Sequence, residues 1–213
     1  MNVDSIYEFL KAHLKSALEL SALFLGIVNG LMLLKFNWRD KPKLEVKPIH
    51  PEVYQWWFKL PDRQYEGHST RAYGFMIYIG IVNRGLRKVS LESWRLFVDG
   101  KKTKKLELKA RNMPEVTIQI GSHLKMLPNL GQRTLNFEGD TVVDSGTSIS
   151  GMVYYVYECW GDPIWNPAIK DGKITAKFIV RDAFEKKTSC RIVFSERPLE
   201  EIKNIAEGIA EIR

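Results

Sequence analysis

From Ser16 to Leu34 the chain reads SALELSALFLGIVNGLMLL, an apolar run broken after its first serine only by Glu19, Ser21 and Asn29. A helix of that length rises about 1.5 Å per residue and covers close to 30 Å, the thickness of a bilayer's hydrocarbon core. Lys15 and Lys35 bracket the run, and Phe36 and Trp38 stand where interfacial aromatics anchor a span. A buried core helix competes with this reading, because the strictly apolar part from Leu20 to Leu34 is short. A cleaved signal peptide fits poorly: Asp4 and Glu8 precede the run, and bulky MLLKFNW occupies the place of a small-x-small site. The sequence therefore predicts an N-terminal helix over 1–36, with a single transmembrane span over 16–36. No Gly or Pro interrupts Asp4 to Lys15, so Ile6, Phe9, Leu10 and Leu14 are expected on a continuous extension of that helix.

The flanks carry unequal charge. Lys11 and Lys15 precede the span; Lys35, Arg39, Lys41, Lys43 and Lys47 come after it. That asymmetry predicts a short N-terminus outside and the main domain on the cytoplasmic side of the plasma (inner) membrane. The absence of any Asn-x-Ser/Thr, and a pair of cysteines needing no oxidising compartment, lean the same way.

Within the run, Glu19, Ala22, Gly26, Asn29 and Gly30 fall within about 100° of one another on a helical wheel. Gly26 and Gly30 form a GxxxG, which lets two helix backbones approach closely, and Asn29 can hydrogen-bond across such a seam. Glu19 is costly inside a bilayer unless it is paired or reaches headgroup water from one turn inside the boundary. Together these residues predict a homo-oligomer assembled through the span.

Past Trp38 the hydrophobic period changes from helical to alternating. A juxtamembrane linker is expected over 37–43, a β domain over 44–196 and a C-terminal amphipathic helix over 197–213. In RAYGFMIYIGIVN, Tyr73, Phe75, Ile77, Ile79 and Ile81 share one face. In KVSLESWRLFV the parity of Val89 and Leu91 differs from that of Trp94, Leu96 and Val98, which predicts a bulge near Ser93. VTIQI, the run from Ile149 to Cys159, KITAKFIV and TSCRIVF add further strands, with RDAFEKK as a hairpin between the last two. Ile202, Ile205, Ile209 and Ile212 form the stripe of the final helix. At 213 residues, 45% hydrophobic and 27% charged, the chain has the balance of a globular domain, which excludes disorder, collagen-like repeats and a polytopic membrane protein. Eight or nine short strands read as an antiparallel β-sandwich or a barrel; the expectation adopted is a mainly β, immunoglobulin-like sandwich.

The segment IYIGIVNRGLRKVSLESWRLFVDGKK, Ile77 to Lys102, resembles a hairpin of immunoglobulin-like β-sandwich modules, those of the late-embryogenesis-abundant (LEA14-like) type and of single-span membrane-anchored prokaryotic proteins without assigned activity. The resemblance lies in a hydrophobic strand ending in Asn-x-Gly, then a second apolar strand and a polar turn. It implies a fold and transfers no site.

No metal or cofactor motif is present. His13, His50, His68 and His123 are far apart, and Cys159 and Cys190 stand singly. Val142-Val143-Asp144-Ser145-Gly146-Thr147 resembles the active-site turn of aspartic proteases, which need two aspartates sharing a proton. One such motif per chain would require a dimer, and no downstream glycine supplies the family's second element. An ordinary turn explains the same residues.

Two surfaces remain as candidates for binding. The cluster Lys101, Lys102, Lys104, Lys105, Lys109 and Arg111 suits anionic lipid headgroups ahead of nucleic acid, or protects an edge strand from sheet-to-sheet pairing. The loop CWGDPIWNP carries Trp160 and Trp165, with Trp56 or Trp57 expected beside it as a stacking surface for a ligand or partner, unless these rings cap the core. Residues 1–36 sum to zero, so the whole net charge of +7 belongs to residues 37–213. The sequence thus predicts a membrane-anchored binding module without a cofactor, its partner an unknown protein or small molecule. The competing readings are a dimeric protease using Asp144, a ligand-sensing membrane effector, and an inverted, envelope-facing adhesion module.

Overall fold

The computed structural model describes residues 3–101, 105–120, 122–130 and 141–212. The chain forms two units, Met1–Lys41 and Pro42–Arg213. The first is a single helix, α1 (Val3–Arg39), 37 residues long, so the amphipathic start and the apolar run are indeed continuous. Within it His13–Trp38 has a mean hydropathy of 1.9 and no buried residue in its apolar window. Leu18, Leu23, Phe24, Leu31 and Leu33 are each more than half exposed, on all sides of the helix. The helix is long and apolar enough to cross a membrane, at roughly 39 Å for its 26 residues. It ends at Arg39, three residues beyond the expected boundary.

The second unit is mainly β. Its strands are β1 (Leu44–Pro48), β2 (Gln55–Tyr65), β3 (His68–Asn83), β4 (Val89–Val98), β5 (Leu106–Arg111), β6 (Val116–Ile120), β7 (His123–Leu127), β8 (Val142–Val143), β9 (Ser148–Trp160), β10 (Ile169–Lys170), β11 (Lys173–Asp182) and β12 (Lys187–Glu196). Seven of them close into a ring in the order β11-β12-β2-β3-β9-β5-β4, and β4 pairs back onto β11. The expected two-sheet sandwich is therefore a closed barrel. Inward and outward residues alternate identically in both architectures; what decides is edge pairing. Strand β4 uses both edges, pairing Leu96 with Leu108 of β5 and with Phe178 of β11. A short parallel joint, Ser195 to Trp56 and Glu196 to Trp57, seals β12 to β2.

The barrel interior holds Trp57, Phe75, Ile77, Ile79, Ile81, Leu96, Tyr155, Phe178 and Phe194, as the alternation of these strands dictates. The bulge falls where expected: opposite β11, pairing jumps from Ser93 to Leu91. The strands joined by Asn83-Arg84-Gly85 differ from a hairpin, because β3 and β4 are not hydrogen-bonded to one another and the turn carries the chain across the ring.

A second cluster covers the outside of β2, β3 and β9. Trp56, Phe58, Leu60, Met76, Tyr154 and Val156 meet Val116, Ile118 and Leu127 of the β6–β7 hairpin and Ile202, Ala206 and Ile209 of the C-terminus. The final helix is shorter than expected. Helix α2 spans only Leu199–Ile205, with Pro198 at the N-cap position, and Gly208 at φ 77° turns the chain into a single 3₁₀ turn, Ile209–Glu211. Its stripe packs on its own domain, and the Tyr154 hydroxyl donates to the Ile212 carbonyl at 3.3 Å.

Candidate functional site

At one end of the barrel, β9 runs out at Trp160 and the chain turns through Gly161 (φ 72°) into a 3₁₀ turn, Pro163–Trp165. Local chemistry fixes each step. The Asp162 carboxylate accepts from the Ile164 amide at 2.8 Å. Arg71, which pairs with Cys159 in the β3–β9 register, donates from Nη2 to the carbonyls of Gly161 (2.9 Å) and Asp162 (3.2 Å). The Tyr157 hydroxyl donates to the Trp165 carbonyl at 2.7 Å, and the Cys159 thiol to Asn166 Oδ1 at 3.5 Å. Beyond the turn, the Ala168 amide donates to the Asp99 carbonyl at 2.8 Å.

This pinned loop leaves Trp160 65% and Trp165 46% exposed. With Tyr157, Glu158 and Cys159 they line a hollow of about 330 Å³, at the lower end of the range for small-ligand sites. Burial pushes the Tyr157 hydroxyl up to about 12, with smaller contributions from Cys159 and Tyr73. Burial likewise raises the Cys159 thiol, against the opposing pull of Arg71. Both groups are neutral near pH 7, so the hollow offers aromatic faces and hydrogen-bonding groups instead of a thiolate nucleophile.

Trp56 and Trp57 do not join this surface. Their rings do face opposite sides of β2, but both sides are covered. Trp57 lies inside the barrel and donates from Nε1 to the Gly172 carbonyl at 2.9 Å. Trp56 lies under the C-terminal segment, with the Arg197 guanidinium 5.7 Å from its ring centre.

Asp144 sits in an exposed reverse turn. The Thr147 amide and hydroxyl both bond the Asp144 carbonyl, at 3.2 and 3.0 Å, and Gly146 takes φ 69°. The turn is clamped to the β3–β4 corner: the Ser145 hydroxyl donates to the Gly85 carbonyl (3.0 Å) and the Gly146 amide to the Asn83 carbonyl (2.9 Å). These contacts are those of a structural turn. Among the described residues no three His, Cys, Asp or Glu side chains gather as a metal site would require.

Of the basic cluster, Lys101, Lys105, Lys109 and Arg111 are exposed, while Lys102 and Lys104 lie outside the described residues. Strand β5 pairs with β4 over Leu106–Lys109 and with β9 only at Ala110 and Arg111, so among the described residues its second edge is unpaired from Leu106 to Lys109, where the edge-strand explanation still applies. Along α1, Glu19, Ala22, Gly26, Asn29 and Gly30 are all exposed, and a Cβ added at either glycine meets nothing within 4 Å.

No family model and no curated protein matches this chain. Among solved structures, Northeast Structural Genomics Consortium target SoR45 aligns at 9% identity and a TM-score of 0.30, covering 72% of this chain and 86% of that one. The putative ApaA protein of Bordetella pertussis aligns at 8% identity and a TM-score of 0.29, covering 74% and 96% respectively. Likenesses of that size carry no argument about this chain.

Proposed function

We propose that this chain is a membrane-anchored binding module. Its helix crosses the plasma (inner) membrane once and associates with a second copy, and its barrel presents the Trp160–Trp165 hollow to a ligand or partner on the cytoplasmic side. The observation that carries the reading is the pairing of exposure with rigidity. Two indole faces stand in water on a loop held by Arg71, Tyr157 and Asp162. Large exposed aromatics on a preorganised surface are the usual anchors of recognition, because little ordering entropy is lost on binding. The excess of Lys and Arg after the span supports the orientation. The net charge of +7 supports contact with anionic headgroups.

The test is retention of a bound species by the full-length protein purified in mild detergent. Mass spectrometry should find a stoichiometric small molecule or protein with the wild type and not with the Trp160→Ala/Trp165→Ala variant. Both side chains lie outside the core, so the variant's Tm should stay within about 2 °C of the parent. An identical set of retained species in both would refute the assignment.

Self-association has its own check. Leucine at both Gly26 and Gly30 would hold the helices apart, and dimer affinity in detergent should fall by about tenfold or more. A wild type that is strictly monomeric, or a variant of unchanged mass, contradicts the seam.

A further inference from the structure

The outer face of β11 and β12 places like charges in register. Lys177 lies directly opposite Arg191, and two repeats further along, past Ile179 and Ser189, Arg181 lies opposite Lys187. Like charges facing each other across a ladder destabilise it. At Arg181 the fold supplies counter-charges, Glu92 at 2.9 Å and Glu185 at 2.8 Å. Among the described residues no carboxylate forms an ion pair with Lys177 or Arg191.

That bare pair borders two adjoining hollows. One, of about 310 Å³, is lined by Lys105, Lys177 and Arg191. The other, of about 490 Å³, is lined by Lys101, Lys170, Lys173 and Arg191. Thr175 contributes to both, as does Asp99, the one acid among the described residues of either lining. Six cations against one carboxylate give the paired hollows +5, most of the chain's net +7. Arg191 stands where they meet, with a planar guanidinium suited to bidentate contact with a tetrahedral oxyanion. Lysines on both sides can neutralise further oxygens, and the Thr175 hydroxyl can donate another hydrogen bond.

We propose that these hollows form a phosphate-binding site for a ligand bearing clustered phosphate charge, either a lipid headgroup or a free phosphorylated solute. An anion bridging Lys177 and Arg191 relieves the like-charged register. The site lies on the β11–β12 face and shares no residue with the Trp160–Trp165 hollow, so either assignment can fail without the other.

The experiment monitors thermal unfolding of the full-length chain in nanodiscs. In neutral phosphatidylcholine discs, inorganic pyrophosphate should raise the Tm if the ligand is a free solute. A rise confined to discs containing phosphatidic acid assigns the headgroup. In either arm the Lys177→Gln/Arg191→Gln variant should bind about thirtyfold more weakly, two charges at roughly 1 kcal/mol each. Lys187→Gln, a cation on the same strand outside both hollows, should respond as the parent does. The single variant Lys177→Gln should also raise the Tm of the ligand-free protein by about 1–2 °C, because it removes the facing charge. No response in either arm, an undiminished response in the double variant, or preference for a single-stranded oligonucleotide over both phosphate probes would overturn the proposal.

Discussion

Asn83→Leu should lower the stability of the barrel by about 3 kcal/mol and its Tm by about 6–12 °C. The asparagine is fully buried where three stretches of chain meet. Its Nδ2 donates to the carbonyls of Arg87 (2.7 Å) and Val143 (3.1 Å). Its Oδ1 accepts from the amides of Gly85 (2.9 Å) and, more distantly, Lys43 (3.4 Å). Leucine matches the volume and supplies none of these bonds. Backbone groups that had a partner are left buried without one, each costing about 1–3 kcal/mol before relaxation. Thermal denaturation of the two proteins measures the difference. A loss below about 1 kcal/mol would mean that water replaces the side chain, and that the corner is not held as described.

The second large effect has a sign opposite to the simple expectation. Glycine inside a strand usually weakens it, so Gly→Ala there tends to stabilise. At Gly151 the reverse should hold. A Cβ would come within 2.7 Å of the Pro128 carbonyl oxygen and 2.9 Å of the Leu130 amide nitrogen, both backbone atoms, and within 2.7 Å of the buried Leu130 side chain. The segment it would displace is fastened to β9 by two hydrogen bonds, Met152 N–H to the Pro128 carbonyl (2.7 Å) and Leu130 N–H to the Met152 carbonyl (2.9 Å). Overpacking together with loss of these bonds should cost about 2–4 kcal/mol for Gly151→Ala. Hydrogen exchange would localise the damage: the amides of Leu130 and Met152 should lose protection while those of β11 and β12 keep theirs. Unchanged protection at both positions would contradict the close approach.

These two residues show where sequence reasoning reaches its limit. The alternation in β3, β11 and β12 identifies the inward faces, because a period of two survives in any sheet. It cannot separate a sandwich from a ring, which depends on β4 meeting β11. Strands β8 and β10 are two residues each, too short to carry a pattern. Strand β7 escapes because Leu124 and Met126 lie on its exposed side. That the tryptophan pair in β2 faces two ways is legible from strand geometry alone. Burial of Trp56 depends on the β6–β7 hairpin and the C-terminus, far away in the chain, and burial of Trp57 on closure of the barrel.

The aromatic loop is legible from its composition. Arg71 is not, since its role arises only from the register that sets it beside Cys159. Lys173, Thr175 and Lys177 alternate visibly in KITAKF, as Arg191 does in TSCRIVF. Only the pairing of β11 with β12 turns two ordinary polar faces into one bare cationic pair.

The proposed arrangement is a domain held at the inner face of a membrane by a single span. It is tested most directly by labelling intact cells that express Phe184→Cys with a membrane-impermeant maleimide. Phe184 is 70% exposed in the β11–β12 connection, so a cysteine there is accessible to any reagent that reaches the domain. The native thiols give little background: Cys159 is buried, and burial pushes Cys190 up to about 11. Labelling is expected only after permeabilisation, of a protein that alkaline carbonate does not strip from the membrane. Labelling of intact cells, or release by carbonate, would contradict it.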